Sequence, residues 1–169
     1  SCPAGTYRDN TMDNCAPCPA GKYISDGSTS SLHDDKSDCV SCGLGKYLPH
    51  DETNAYDHDS ESDCIICGVG KYADKKGAEG CLDCIGGKYL ADIGIDVNLH
   101  KTESNCLVCN PGKYSSPGVG SCTNCPKGKY LENSGDYTLH DAEDDCEPCS
   151  LNTFAASAGS TNCEPGDGS

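Results

Sequence analysis

One short pattern, iterated along the chain, limits its folding more than any other feature. CPAGTY starts at Cys2, CPAGKY at Cys18, CGLGKY at Cys42 and CGVGKY at Cys67. CIGGKY follows at Cys84, CNPGKY at Cys109 and CPKGKY at Cys125. Cys149 opens CSLNTF, an eighth copy in which Asn152 replaces Gly and Phe154 replaces Tyr. Each copy runs through a variable stretch to a closing Cys, and in the first seven copies two residues separate that Cys from the one that opens the next copy. Internal repetition of this kind reads as an array of small units rather than one globular core.

The sixteen cysteines form seven Cys-x-x-Cys pairs, with Cys2 and Cys163 left over. Four-cysteine zinc sites would use the pairs two at a time and strand one of them, and no His stands at zinc-knuckle spacing. Redox Cys-x-x-Cys occurs singly at a helix start in a βαβ setting, not seven times in a Gly-rich chain. Pairing the opening Cys of each unit with the Cys that closes it uses all sixteen. The expected bridges are Cys2–Cys15, Cys18–Cys39, Cys42–Cys64, Cys67–Cys81, Cys84–Cys106, Cys109–Cys122, Cys125–Cys146 and Cys149–Cys163. The two residues inside each Cys-x-x-Cys then serve as a hinge. The expected units are 2–17, 18–41, 42–66, 67–83, 84–108, 109–124, 125–148 and 149–166, one solenoid-like array over 1–169.

With no Trp, one Phe and one Met, the chain has too little large apolar surface for a conventional core. Bridges replace it, each closing a loop of about 14–23 residues worth roughly 3 kcal/mol. The density of cysteine and their even number point to an oxidising, extracellular compartment. The chain begins at Ser1-Cys2 with no initiator Met or signal peptide, and reads as a mature protein or a segment of a longer secreted or surface protein. No apolar run is long enough to span a bilayer. The net charge of −15 disfavours nucleic acid and anionic membranes as partners.

Within a unit, the Gly answers a backbone need, either a left-handed angle or close approach to the preceding turn. Lys-Tyr suits a short strand. Tyr7, Tyr23, Tyr47, Tyr72, Tyr89, Tyr114, Tyr130 and Phe154 are expected to pack on the disulfide of their own unit or of the next one. Six lysines, Lys22, Lys46, Lys71, Lys88, Lys113 and Lys129, share the slot before the aromatic and are expected to meet acids of their own or the next repeat. The fold class is therefore small and disulfide-rich: an elongated tandem array of eight short β-hairpin-like loops with one disulfide each and almost no helix, each unit touching only its neighbours.

Four units are longer and carry LHDDKSDC (32–39), DHDSESDC (57–64), LHKTESNC (99–106) and LHDAEDDC (139–146). His33, His58, His100 and His140 stand six residues before the closing Cys each time. A shared local role, a ring hydrogen bond to backbone of the inserted turn, is expected of them; metal ligation, stacking of the His rings and facing the neighbouring Lys-Tyr strand are the alternatives. The oxygen donors of Asp57, Asp59, Glu61 and Asp63 suit calcium in type. No segment has the Gly and Glu of an EF-hand loop, so a solvated acidic loop is the plainer reading and no cofactor is expected. No Asn-x-Ser/Thr sequon occurs; Ser28 to Ser31, Ser115, Ser116 and Thr138 are places for O-linked sugar. No catalytic motif appears, and the chain is not expected to be an enzyme.

The unit Cys-Pro-x-Gly-x-Tyr, a variable loop, then Cys-x-x-Cys resembles the ephrin-receptor-type cysteine-rich repeat. It is similar as well to the first, single-disulfide module of TNF-receptor cysteine-rich repeats, without the second, two-disulfide module. The resemblance covers Cys2 to Cys163. It implies the same in-module bridge, and extracellular modules that act as spacers, receptor ectodomains or parts of large surface proteins. The expectation is an extracellular structural repeat protein, a subunit or segment of a surface fibre (filament), stalk or appendage. Self-association head to tail, the unit at Cys149 against the unit at Cys2, would build it. The alternative is a receptor or adhesion ectodomain that holds another extracellular protein with its long loops.

Overall fold

The computed structural model describes residues 2–8, 11, 13–25, 33–49, 54–132 and 135–166. The sixteen cysteines form the eight expected bridges, each joining the opening and closing Cys of one repeat. None is free.

The turn before each strand explains the glycine. In repeat 2 the carbonyl of Pro19 accepts from the Lys22 N–H at 3.1 Å, which puts Gly21 third in a tight turn with φ of 75°. That position needs a positive φ, which glycine adopts without a Cβ penalty. The eighth repeat meets the need with Asn152 at φ 66°, the side-chain type best tolerated there after Gly.

After the turn the chain pairs with itself. Eight two-stranded sheets form, one per repeat. Lys22–Tyr23 runs antiparallel to Val40–Ser41, and Lys46–Tyr47 to Ile65–Ile66. The residues inside Cys-x-x-Cys are therefore strands, not hinges: their backbone groups answer the Lys-Tyr strand of the same repeat. Helical structure among the described residues is limited to 3₁₀ turns of three or four residues in the inserted segments.

By contact the chain forms two compact units, residues 1–68, 72–81 and 94–102, and residues 69–71, 82–93 and 103–169. In the first, successive repeats join by main chain. The N–H groups of Gly5, Gly21 and Gly45 donate to the carbonyls of Ile24, Leu48 and Ala73, each at 2.8 Å. The same glycines' carbonyls accept from Cys18, Cys42 and Cys67 of the following repeat. The residue after each aromatic donates to the next repeat's loop: Arg8 to His33, Ile24 to His58, Leu48 to Ala78 and Ala73 to His100, at 2.8–3.0 Å.

The second unit uses the same bonds. Gly70, Gly87, Gly112 and Gly128 donate to Leu90, Ser115, Leu131 and Ala155, and accept from Cys84, Cys109, Cys125 and Cys149. Leu90, Ser115 and Leu131 donate to Val119, His140 and Ser160.

Small apolar clusters fill these junctions. Tyr7 packs with Cys18, Cys39 and Ile24; Tyr23 with Cys42, Cys64 and Leu48; Tyr114 with Cys125, Cys146 and Leu131. In each the aromatic lies on the disulfide of the next repeat. The aliphatic residue after the next repeat's aromatic completes the cluster. Phe154 is 41% exposed and belongs to none of the three.

Units do not touch only their neighbours. A Cβ on Gly5 would overlap the Ala55 carbonyl two repeats on, and one on Gly21 would overlap Gly77; a Cβ on Gly45 would stand 2.7 Å from the Val97 oxygen. In the second unit Gly70, Gly87 and Gly112 meet Gly118, Tyr137 and Gly159 in the same way. The loop tip of each repeat from the third to the eighth thus presses on the glycine turn two repeats back, which a one-neighbour array does not require. From repeat 3 onward long and short loops alternate with this spacing.

Candidate functional site

The inserted segments of repeats 2, 3, 5 and 7 are the features that the repeat motif alone does not demand. Their histidines are buried, His33 to 2% and the other three to 0% exposed. Nδ1 of His33 lies 2.6 Å from the Thr6 carbonyl, and Nδ1 of His58 and His140 lies 2.8 Å from those of Lys22 and Lys113. A carbonyl only accepts, so Nδ1 carries the proton. The bonded carbonyl belongs to the preceding repeat's strand, not to the inserted turn. Each of these histidines therefore clamps that strand twice, with its own carbonyl and with its ring. In short repeats the main chain does this alone, through parallel bridges of Tyr47 with Ala78 and Tyr130 with Ser160. Nε2 of His33, His58 and His140 is buried without a partner, which leaves no solvent-facing imidazole there.

The acidic runs are largely caps. Asp63 Oδ2 accepts from the Ser60 N–H at 2.8 Å while Ser60 Oγ accepts from Ser62, closing a capping box around the turn Glu61–Asp63. Asp38 accepts from Asp34 and Asp35, and Asp145 from Ala142. Ser60-Glu61-Ser62-Asp63 has the spacing of a capping box, and that signal was available in the sequence.

Of the four residues considered for calcium, Glu61 pairs with Lys46 at 3.3 Å, Asp57 accepts from Asn54 Nδ2 at 2.9 Å and Asp63 caps its turn. Asp59 is the C-cap of the turn Ala55–His58. The structure does not bring the four together. Among the described residues no group of three or more His, Cys, Asp or Glu is gathered for a metal ion. Of the O-linked candidates, Ser115 is buried and its hydroxyl donates to the Lys88 carbonyl; Ser28 to Ser31 lie outside the described residues.

Two of the carboxyls titrate low. Asp35 is held below the ordinary aspartate value by the Ser37 hydroxyl and then its N–H, and Asp136 by the Thr138 hydroxyl and then its N–H. Folded values below the unfolded one mean that these caps contribute stability above roughly pH 4 and lose it as pH falls through the depressed values. The amide protons of Ser37 and Thr138 are expected to shift in NMR with midpoints below the ordinary aspartate range. Midpoints at or above that range would contradict the capping assignment. At the other end of the scale, the Glu147 carboxylate, which accepts from Tyr130 Oη at 2.8 Å, holds that phenol above its usual value.

Four of the slot lysines pair within their own repeat. Lys46 meets Glu61, Lys88 meets Glu103 at 2.9 Å, Lys129 meets Glu143 at 3.5 Å, and Lys71 meets Asp83. Lys36 stands where Glu61, Glu103 and Glu143 stand in the other long repeats, so at that position repeat 2 offers its slot lysine, Lys22, no carboxylate. Lys36→Glu is expected to stabilise by about 0.2–0.5 kcal/mol, the ordinary worth of an exposed pair. A chemical-denaturation midpoint that falls would contradict this.

No protein-family model and no curated protein matches the chain.

The long loops also carry exposed apolar side chains. Tyr56 is 81% exposed, Ile95 74% and Ile93 71%; Leu139 is half exposed. In repeat 7 a concavity of about 490 Å³ has Tyr130, Leu131 and Leu139 as apolar lining and Glu132, Asp144 and Glu147 among its acids. At these three acidic positions repeat 5 has Ala91, Ser104 and Leu107, so the fold of a long repeat does not need carboxylates there. No Lys or Arg lines the concavity.

Proposed function

We propose that the chain is an extracellular structural repeat protein, a subunit or segment of a surface fibre, stalk or appendage, and that it is not an enzyme. Eight bridges without a free thiol fit an oxidising compartment, and no helix among the described residues is long and apolar enough to cross a membrane. The observation that carries the proposal is the junction itself. Every step uses the same backbone donors and acceptors, so one repeat can receive another whatever its loop contains. Such chemistry suits extension of an array by self-association, and the resemblance to ephrin-receptor-type repeats agrees with an extracellular setting. Electron microscopy of native, unreduced material from its source tests it. Filaments with a regular subunit spacing are expected; particles that remain single at all concentrations would contradict it.

A second reading, a receptor or adhesion ectodomain, is favoured by the exposed apolar tips and the acid-lined concavity of repeat 7. The partner that fits is an extracellular protein presenting a basic side chain with an apolar stem. Replacing the long loops by the short tip of repeat 6 would then abolish partner binding and leave all eight bridges intact. Binding that survives the replacement would remove the loops as the contact surface.

A further inference from the structure

The bridges fall into two environments. In the long repeats both sulfur-bearing residues are buried: the closing residues Cys39, Cys64, Cys106 and Cys146 are 2–5% exposed, and their partners at most 0%. In the short repeats the closing Cys reaches solvent. Cys15 is exposed, and Cys81, Cys122 and Cys163 are half-buried. The cause is local. A 3₁₀ turn stands directly before each closing Cys of a long repeat: Lys36–Asp38, Glu61–Asp63, Glu103–Asn105 and Glu143–Asp145. The Cys N–H bonds the first carbonyl of that turn, at 2.9 Å for Cys106 and 3.1 Å for Cys64. Among the described residues the short repeats have no such turn. They approach their closing Cys through Glu79-Gly80 in repeat 4 and Gly120-Ser121 in repeat 6.

We infer that the chain carries two classes of disulfide, and that an external dithiol opens the bridges of repeats 1, 4, 6 and 8 while those of repeats 2, 3, 5 and 7 stay closed. Access limits thiol–disulfide exchange, because the attacking thiolate must approach one sulfur in line with the bond that breaks. In repeat 4 the thiolate attacks Cys81 Sγ. The S–S bond breaks, Cys67 leaves as a thiolate and takes a proton from water. The second sulfur of the dithiol then attacks the mixed disulfide, closes a ring, and releases Cys81 as a thiol. Two electrons pass from the dithiol to the bridge.

The inserted turn thus does more than lengthen the loop. It shields the bridge beneath it, and the short repeats become the thiol-sensitive joints of the chain. The junction bonds of a short repeat come from its glycine, its opening Cys, the residue after its aromatic and its loop tip, where Gly77 donates to the Cys42 carbonyl and the Ala78 carbonyl accepts from Leu48. Opening a short bridge is therefore expected to loosen the loop tip together with its bonds to earlier repeats, Leu48 to Ala78 and Gly77 to Cys42 in the case of repeat 4.

The test is timed exposure of the intact eight-bridge chain to dithiothreitol, quenching with N-ethylmaleimide, and peptide mass spectrometry. Label is expected on Cys67, Cys81, Cys109 and Cys122, with the cysteines of repeats 1 and 8, roughly tenfold or more faster than on the long-repeat cysteines. One common rate for all eight bridges, or faster loss of the long-repeat bridges, would overturn the inference. Asp63→Ala, which removes the capping box of repeat 3, tests the cause. Cys42 and Cys64 should join the fast class while Cys84 and Cys106 keep their rate. An unchanged rate at Cys42 and Cys64 would show that the turn is not the shield.

Discussion

Gly70→Ala is expected to cost about 3 kcal/mol or more and to sharply lower the yield of correctly bridged protein. Two effects combine. Gly70 has φ of 68°, where an L side chain costs roughly 1–2 kcal/mol. The added Cβ also overlaps the backbone of Gly118, which is fixed main chain and cannot rotate away. Gly118 is itself held by its N–H on the Cys84 carbonyl at 2.8 Å. Gly128 separates the two effects, because its φ is 82° and nothing stands within 4 Å of its Cβ position. Gly128→Ala should therefore cost only the conformational share, about 1–2 kcal/mol. Gly68, with nothing within 4 Å and no positive φ, should tolerate Ala almost freely. Chemical denaturation of the three oxidised variants makes the comparison. Equal losses for Gly70→Ala and Gly128→Ala would remove the contact between second neighbours from the account of stability.

His58→Ala is expected to destabilise by about 2–4 kcal/mol, through a cavity at a fully buried site and a strand carbonyl left without its donor. The damage should be local to the junction of repeats 2 and 3. The Ile24 amide, which donates to the His58 carbonyl at 2.9 Å, should exchange faster with solvent even though its acceptor is main chain. Tyr56→Ala, two residues away and at an 81% exposed position, is the control and should change stability by less than about 0.5 kcal/mol. A His58→Ala chain as stable as the parent would mean that the recurring histidine is not a clamp. His58→Asn retains a donor on a shorter stem and should fall between the two.

The disulfide framework was legible because the count admits a simple solution: pairing within units consumes every cysteine, and zinc or redox readings leave residues over. The aromatic role was half legible. The repeat pattern puts Tyr23 on one of two bridges, and the structure selects Cys42–Cys64, because the following repeat is the surface that the Tyr strand faces. The aliphatic residue that completes each cluster was not legible. At that position Ile24, Leu48, Leu90 and Leu131 alternate with Arg8, Ala73 and Ser115, so no composition rule marks it.

Contacts between second neighbours escaped for a different reason. Repetition in sequence tells how many units exist, not how far one reaches along the row. The tell was the alternation of long and short loops after repeat 3, which acquires a meaning only once Ala55 is seen against Gly5 and Gly77 against Gly21. The capping role of the acidic segments is legible in the sequence only through spacing. Their charge alone does not indicate a cap, whereas Asp63 three residues after Ser60 has the spacing that a capping box requires.

Disulfide mapping is the most direct test of the fold on which all of this rests. The unreduced chain is digested under acidic conditions that suppress exchange, and the linked peptides are identified by mass spectrometry. Eight linkages are expected, each joining the opening and closing Cys of one repeat, from Cys2–Cys15 to Cys149–Cys163. A linkage between Cys39 and Cys42, or between cysteines of different repeats, would contradict the one-bridge unit and with it the junctions built upon it.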